Sequence, residues 1–277
     1  MSAYFKISKK KLEPYFKMNS SHYHREHEMY FLLSGNRRFF IEDSIYNLRE
    51  GDIVVLPKGV LHRTSYNNSL SHERYNVLFN LEYISDLVCA FGEKVIEESF
   101  AHNPVINVPQ NRLSHITEIF ERLYIEYNNP DKYSSLNIKN NLQEIIIFLI
   151  RCIDFRDKNG IGLPLTLEPS YMLIQEAARY ISSNYSKDLT LAQVATNANM
   201  SPTYFSKKFK EATGFGFKEY LINIRLKKAS IMLLETDKSV TEIATSCGFN
   251  DSNYFGDVFK RAKGISPLNY RKNNIFV

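Results

Sequence analysis

The 277-residue chain is long enough to form two domains, each with its own hydrophobic core. Its longest apolar run, Ile145 to Ile150, is far shorter than the roughly 20 residues that span a bilayer, and its N-terminus lacks the apolar core of a signal peptide. Cys89, Cys152 and Cys247 show no paired spacing, which argues against a disulfide framework and a thiolate zinc site. We therefore expect a cytoplasmic protein with no membrane partner.

Charge is distributed unevenly along the chain. Residues 171–277 contain 15 lysines and arginines against 9 aspartates and glutamates, whereas residues 1–170 contain 20 against 21. The C-terminal part is therefore +6 and the rest is −1. A basic part attached to a neutral one fits phosphate binding by the C-terminal part alone, although modest positive charge also occurs on proteins that bind no nucleic acid.

The N-terminal part divides into a tail and a β-rich segment. Residues 1–18 are apolar and basic and include three consecutive lysines, so they form either an N-terminal arm or a disordered tail. Residues 19–110 contain short β-rich runs separated by Gly and Pro turn signals, which predicts an antiparallel barrel or sandwich. The runs are Met29 to Leu33, Arg38 to Ile41, Ile53 to Leu56 and Tyr75 to Leu81.

Residues 111–156 show helical rather than strand periodicity. Two runs of apolar residues at steps of three and four are separated by Asn128-Asn129-Pro130-Asp131, which predicts an antiparallel helical hairpin. Its apolar surface is large enough to cover the barrel and to form a dimer contact, although burial within one chain is an equal alternative. Residues 157–169 contain two glycines and two prolines and are predicted to be the interdomain linker.

Residues 170–277 contain an internal repeat with an offset of 50 residues. Each copy predicts a short helix, a tight turn and a second helix, which is a helix-turn-helix unit. The matching positions are Tyr204-Phe205 with Tyr254-Phe255, Phe209-Lys210 with Phe259-Lys260, Gly214 with Gly264, and Tyr220 with Tyr270. The predicted helices are Leu191 to Ala198 and Pro202 to Thr213 in the first copy, and Val240 to Cys247 and Ser252 to Lys263 in the second.

The second helix of the first copy has the features of a recognition helix. Ser201 supplies an N-cap hydroxyl, and Phe205 and Phe209 are spaced to face inward. The positions between them then face outward, at the end of the helix that would enter a major groove. A linking helix, Phe217 to Leu234, is predicted to fix the spacing of the two copies and to expose Arg225.

The C-terminal part as a whole resembles the AraC/XylS family of bacterial transcription regulators. The ordered series that carries the resemblance is Ile243-Ala244, Gly248-Phe249, Tyr254-Phe255, Phe259-Lys260, Gly264, Ser266-Pro267 and Tyr270-Arg271. The resemblance implies base contacts by Thr203, Ser206 and Lys207 in the first copy, and by Asn253, Tyr254 and Asp257 in the second. The full set predicted to contact DNA is Ser201, Thr203, Tyr204, Ser206, Lys207, Lys208, Arg225, Asp251, Ser252, Asn253, Tyr254, Asp257 and Lys260.

One position departs from the family pattern. The family often has a small residue followed by Arg where this chain has Gly256-Asp257. A carboxylate repels phosphate but can accept a hydrogen bond from cytosine N4. The second copy is therefore expected to bind weakly, to recognise an unusual base, or to depend on Lys260, Arg261 and Lys263 for backbone contacts.

Residues 19–110 contain two motifs, His22-x-His24-x3-Glu28-x6-Gly35 and Gly51-x5-Pro57-x-Gly59-x2-His62. These motifs resemble those of the cupin barrel, and only the terminal Asn of the second motif departs, because Tyr66 replaces it with Asn67 adjacent. In metal-binding cupins, the positions of His22, His24, Glu28 and His62 bind one divalent ion, and such a set suits Fe, Mn, Zn or Ni. His27 is a candidate substitute ligand.

Regulators of this family use the same barrel as a sensor and usually bind an organic effector instead of a metal. The histidines can then serve only to satisfy backbone carbonyls. The predicted effector pocket is His22, His24, Glu28, Tyr30, Arg38 and His62, with Tyr23, Phe40 and Tyr66 as further candidates. No cofactor is expected, and a divalent metal in the barrel is the alternative. The basic tail of residues 1–18 is similar to the family's N-terminal arm, which closes over the effector in some members.

The sequence thus predicts a multidomain α+β protein: a cupin-like antiparallel β-barrel with a helical hairpin, followed by an all-α domain with two helix-turn-helix units. The predicted function is ligand-responsive regulation, as an activator and not an enzyme, by a homodimer that binds promoter DNA and RNA polymerase. By family frequency the effector is a sugar. The alternatives are a metal-dependent cupin enzyme fused to a basic module, and a DNA-binding protein whose cupin is only a dimerisation scaffold.

Overall fold

The computed structural model describes residues 4–13, 26–66, 71–160 and 167–274, and the chain divides into two compact units. The units are Met1–Leu167 and Glu168–Val277, so their boundary falls inside the predicted linker. The helix before the boundary ends at Lys158 and the helix after it begins at Pro169. Within the described ranges, no helix is both long and apolar enough to cross a membrane.

The described part of the first unit contains eight strands in two antiparallel sheets. The larger sheet has the order β1-β7-β2-β5-β8, and the smaller has the order β4-β3-β6. The strands are β1 Phe5–Leu12, β2 His27–Ser34, β3 Asn36–Ile41, β4 Ser44–Arg49, β5 Asp52–Leu56, β6 His62–Tyr66, β7 His72–Phe79 and β8 Val105–Asn107. The N-terminal cupin architecture is confirmed, but the two sheets do not close into the barrel that the sequence suggested.

Strand β1 lies within the segment that the sequence assigned to an arm or a disordered tail. Residues 5–12 instead form an edge strand of the larger sheet and pair with β7 along their whole length. Ile7 and Lys9 lie on the same side of this strand, because successive side chains alternate between its two sides. Ile7 packs into the core beside the helices, and Lys9 Nζ lies 3.0 Å from Glu121 Oε2. The remainder of the predicted arm, residues 1–3 and 14–18, lies outside the described residues.

Strand alternation gives the larger sheet two different apolar faces. On one face, Met29 and Phe31 belong to a core shared with the helices. On the other, Tyr30 and Leu32 pack against Phe39 of the smaller sheet. We call this second side, between the two sheets, the inner face; its core comprises Tyr30, Leu32, Phe39, Ile41, Leu48, Val54, Leu56 and Val105.

The helices of the first unit pack on the outer side of the larger sheet. Two of them, α3 and α4, form the predicted hairpin, and Ile119, Phe120, Leu142 and Ile145 are fully buried in the shared core. The apolar stripe of the hairpin is therefore used mainly within the chain. The helices are α1 Ser85–Phe91, α2 Glu93–His102, α3 Leu113–Asn128 and α4 Ser134–Lys158.

The second unit consists of helices in its described part, as the sequence predicted. The pairs α6/α7 and α9/α10 are the two helix-turn-helix units, and α8 joins them. The recognition helices α7 and α10 have the predicted bounds. The helices are α5 Pro169–Ser183, α6 Leu191–Asn197, α7 Pro202–Thr213, α8 Phe217–Glu235, α9 Val240–Ser246, α10 Ser252–Lys263 and α11 Pro267–Asn274.

The turn of the second helix-turn-helix contains a glycine that the backbone requires. Gly248 has a φ of +83°, where a side chain is strained. A Cβ at this position would also lie 2.8 Å from the Ser186 carbonyl oxygen and 3.0 Å from the Arg225 guanidinium carbon. The turn therefore approaches the loop before the first helix-turn-helix more closely than any other residue type allows.

A pair of alanine substitutions separates backbone strain from this close approach. Gly264 has a similar φ of +79°, but its Cβ would meet no atom within 4 Å. We expect Gly264→Ala to lower the free energy of unfolding by about 1–2 kcal/mol, the usual cost of a left-handed side chain. Gly248→Ala should cost more, because Ser186 must move as well. Urea unfolding of both variants measures the difference, and equal losses would contradict the predicted contact.

Candidate DNA-binding surface and effector site

The first recognition helix, α7, begins at a side-chain cap. Ser201 Oγ accepts a hydrogen bond from the Tyr204 amide at 3.4 Å, and Pro202 occupies the first helical position, where its missing N–H costs nothing. Phe205 and Phe209 are fully buried. These anchors turn Thr203, Tyr204 and Lys207 to the exposed side of the helix.

The second recognition helix, α10, has the same construction. Asp251 Oδ1 accepts from the Asn253 amide at 2.7 Å, and Phe255 and Phe259 are fully buried. Asn253, Tyr254, Asp257 and Lys260 are exposed. Tyr204 and Tyr254 occupy matching positions, with 47% and 49% of their surface exposed. The two helices thus present corresponding outer faces. These faces differ in charge, because Lys207 of α7 corresponds to Asp257 of α10.

Several residues of the predicted DNA-contacting set are less exposed to solvent than the others. Ser206 and Ser252 are half-buried. Lys208 is half-buried as well, and its Nζ lies 5.6 Å from the centre of the Tyr171 ring and 3.4 Å from Glu211. The ammonium group of Lys208 is therefore directed toward α5, whereas that of Lys207 is on the exposed face.

Arg225 has an internal role instead of the predicted exposed one. Its Nε donates to the Tyr185 carbonyl at 2.8 Å and its Nη2 to the Lys187 carbonyl at 2.9 Å. The guanidinium also lies 5.8 Å from the centre of the Phe249 ring, and burial lowers its pKa. Arg225 thus joins the loop before α6 to the turn of the second helix-turn-helix, and its assignment to the DNA-contacting set is corrected.

Arg271 makes an equivalent connection that was not predicted from the sequence. Its Nε donates to the Leu233 carbonyl at 3.0 Å and its Nη2 to the Lys238 carbonyl at 2.6 Å. These carbonyls belong to the end of α8 and the loop before α9. Each helix-turn-helix is therefore preceded by a loop whose carbonyls accept from one arginine, and the Tyr270-Arg271 pair of the family motif was the available signal.

In the first unit, the structure brings together two of the four predicted metal ligands. His62 Nε2 lies 3.0 Å from Glu28 Oε2, both side chains are buried, and His62 Nδ1 lies 2.9 Å from the Val60 carbonyl. His22 and His24 lie outside the described residues. Among the residues that are described, no group of three His, Cys, Asp or Glu side chains could hold a metal. The described pair is therefore within ion-pair distance.

His27 does not serve as the substitute ligand, because strand alternation directs it away from Glu28. Its ring stacks on Phe79, with centroids 5.5 Å apart, and its Nε2 lies 3.6 Å from Glu97. Burial and the charge of Lys58 lower the pKa of His27 to about 4. His27 is therefore part of the packing beside α2, and the prediction that it replaces a ligand is wrong.

The predicted pocket residue Arg38 is also on the wrong side of its strand. Phe39 belongs to the inner-face core, so Arg37 is directed to that side and Arg38 to the opposite one. Arg38 Nε donates to Asn47 at 3.3 Å, whereas Arg37 Nε donates to Thr64 at 3.1 Å. Phe40 projects from the same side of the strand as Arg38. The Tyr23 and Tyr66 side chains lie outside the described residues.

Tyr30, another predicted pocket residue, lies on the inner face. Its ring contacts Phe39 edge-on at 4.8 Å, and the Arg74 guanidinium carbon lies 5.1 Å from its centre. Burial raises the pKa of Tyr30 to about 12, against the opposing charges of Arg37 and Arg74. Arg37 and Arg74 were missed from the sequence, and alternation in register with Tyr30 was the signal that could have found them.

Comparison with known families and proteins agrees with both halves of the chain. Residues 194–273 match a helix-turn-helix domain family, and residues 11–72 match a cupin domain family. Over 257 residues, the chain is 24% identical to the HTH-type transcriptional activator RhaR of Mannheimia succiniciproducens, covering 92% of this chain and 87% of that protein. It is 37% identical over 99 residues to the regulatory protein PocR of Salmonella typhimurium, covering 36% of this chain and 33% of PocR.

Among solved structures, the C-terminal domain of AraT, a response regulator from Geobacillus stearothermophilus, is 39% identical over 36% of this chain and 84% of that chain, with a TM-score of 0.36. The duplicated helix-turn-helix pattern, the preceding cupin sheets and the similarity to RhaR over most of both chains agree with one another. The chain therefore belongs to the AraC/XylS family of DNA-binding transcription regulators.

Proposed function

We propose that the chain is a transcription activator whose response is set by a small molecule bound on the inner face of its cupin sheets. One observation supports the DNA-binding part most directly: two capped helices present matching exposed faces that include Thr203, Tyr204, Asn253 and Tyr254. Activation is inferred from RhaR, which is named a transcriptional activator. A homodimer and contact with RNA polymerase belong to the same proposal.

The sensing role is inferred from the polar groups that the inner face holds. Glu28, Tyr30, Arg37 and His62 are all buried there. Burying charged and hydroxyl groups is costly unless they are paired, and convergent polar groups in an otherwise apolar interior are typical of a small-molecule site. A purely structural scaffold would be expected to contain apolar side chains at these positions. Binding of an effector would shift the balance between states with different DNA affinity.

DNA binding is tested with the full chain and a duplex selected from a random-sequence pool. We expect affinity to fall linearly with the logarithm of salt concentration, because lysines and arginines displace counterions from phosphates. A chain ending at residue 167 should lose this binding entirely, since it lacks both recognition helices. Fluorescence anisotropy measures both results. Specific binding retained by the shortened chain would show that the interface lies elsewhere.

The two recognition helices should contribute unequally to affinity. We expect Lys207→Ala to weaken binding about tenfold, the effect of one lost charged contact to DNA. Asp257→Ala should weaken it less or strengthen it, because a carboxylate is removed from the exposed face of α10. Lys218→Ala, which removes an exposed charge from α8, is the control for net charge. Equal or reversed losses for Lys207→Ala and Asp257→Ala would contradict the asymmetry.

A metal-dependent cupin enzyme is the second candidate, and the Glu28–His62 contact is the observation that favours it. We propose instead that the chain has no catalytic activity and needs no metal. Elemental analysis of protein purified without a histidine tag should then find far less than one equivalent of Fe, Mn, Zn or Ni. One tightly bound equivalent that disappears in Glu28→Gln and His62→Gln would establish the alternative.

A further inference from the structure

The inner face of the larger sheet contains polar residues on two neighbouring strands. Strands β2 and β7 pair with Tyr30 opposite Asn76 and Leu32 opposite Arg74. Directly opposite residues of an antiparallel pair project from the same side of the sheet. Tyr30 and Leu32 belong to the inner-face core, so Arg74 and Asn76 also project between the two sheets.

Arg74 is the most unusual of these residues. Its guanidinium lies over the Tyr30 ring, with 5.1 Å between the guanidinium carbon and the ring centre. Its Nε and Nη1 are shielded from solvent and donate no hydrogen bond within the part of the chain that the structure describes. Buried donors are almost always satisfied. Within the described residues, these two donors of the half-buried Arg74 are therefore available to a bound ligand.

A second arginine faces Arg74 from the smaller sheet. Arg37 is only 1% exposed, and its Nε donates to Thr64 at 3.1 Å. Burial, and then the charge of Arg74, lower the pKa of Arg37 to about 10 against the opposing effect of Tyr30. Burial, and then the charges of the same two arginines, lower the pKa of His72 to about 4. Both arginines therefore project from their strands into the inner face that contains Tyr30.

Among the described residues, the carboxylate whose charge reaches Tyr30 is that of Glu28, and its Oε2 lies 3.0 Å from His62 Nε2. The segments of the first unit outside the described residues, 1–3, 14–25, 67–70 and 161–166, contain no aspartate or glutamate. Their composition therefore offers no side-chain carboxylate for Arg74, whatever their conformation.

We propose that the effector is a small organic anion whose carboxylate or phosphate group binds Arg74 and Arg37 between the two sheets. The inference rests on the proposed sensing function and specifies its ligand chemistry. A planar guanidinium matches the oxygens of a carboxylate or phosphate with two parallel hydrogen bonds. The Tyr30 hydroxyl and the Asn76 amide would contact the remainder of the molecule. A neutral sugar, the expectation from family frequency, would supply no negative charge to Arg74.

The first experiment measures the melting temperature of the full chain with simple anions. Inorganic phosphate and acetate serve as probes of the two chemistries, with sodium chloride at matched ionic strength as the reference. We expect one of them to raise the melting temperature of the wild type in a saturable way, and its dissociation constant to rise at least about tenfold in Arg74→Gln. Arg151→Gln, at an exposed position on α4, is the matched control and should behave as the wild type.

The second measurement needs no ligand. If the shielded donors of Arg74 await an anion, removing its charge relieves repulsion, so ligand-free Arg74→Gln should melt at or above the wild-type temperature. If Arg74 only supports packing over Tyr30, the variant should melt several degrees lower. A lower melting temperature, or equal responses of wild type and Arg74→Gln to both anions, would overturn the proposal.

DNA binding separates this proposal from the proposed function. Ligand-free wild type and Arg74→Gln should bind the selected duplex equally, because the substitution lies outside the DNA-binding unit. A neutral compound that stabilises both proteins equally and alters their DNA affinity would leave the sensing function in place and overturn the anion inference. Loss of DNA binding by the wild type itself would overturn the proposed function instead.

Discussion

The packing of aromatic rings in the second unit determines which surface can face DNA. On α7, Phe205 and Phe209 lie 5.2 Å apart, and Phe209 meets Tyr220 edge-on at 5.3 Å. On α10, Phe255 and Phe259 lie 5.5 Å apart, and Phe259 meets Tyr270 edge-on at 5.3 Å. Because each pair is spaced by four residues, it fixes the rotation of its helix about its own axis. The exposed faces follow from these contacts.

The same helical spacing explains why the second unit could be predicted closely from the sequence. A 50-residue offset brought both aromatic sets into register, and the recognition helices have the predicted bounds. The role of Arg225 could not be obtained in this way. Its position on α8 is compatible with exposure, and only the tertiary structure brings the Tyr185 and Lys187 carbonyls within reach. Connections between distant loops leave no local pattern in a sequence.

The first unit shows the corresponding limit for strands. Side chains alternate with a period of two, so a shift by one residue exchanges the two faces. The run around Phe39 was located from the sequence, but Arg38 was assigned to the pocket in place of Arg37. His27 was proposed as a substitute metal ligand, although its side chain is directed toward Glu97 and away from Glu28. The short strand β8 was missed because three residues give too little alternation to recognise. Burial between the sheets decides the face, and that information is tertiary.

Buried and exposed positions of the repeat are under different physical constraints. The aromatic anchors recur in both copies because each recognition helix must fill the same kind of core. Exposed positions make no such contribution to folding, so Lys207 in one copy can correspond to Asp257 in the other at little cost in stability. A tandem arrangement with shared anchors and different outer faces suits an asymmetric DNA site, in which the two helices contact different base sequences. The asymmetry is therefore compatible with two well-formed units, and we expect it to affect DNA recognition and not the fold.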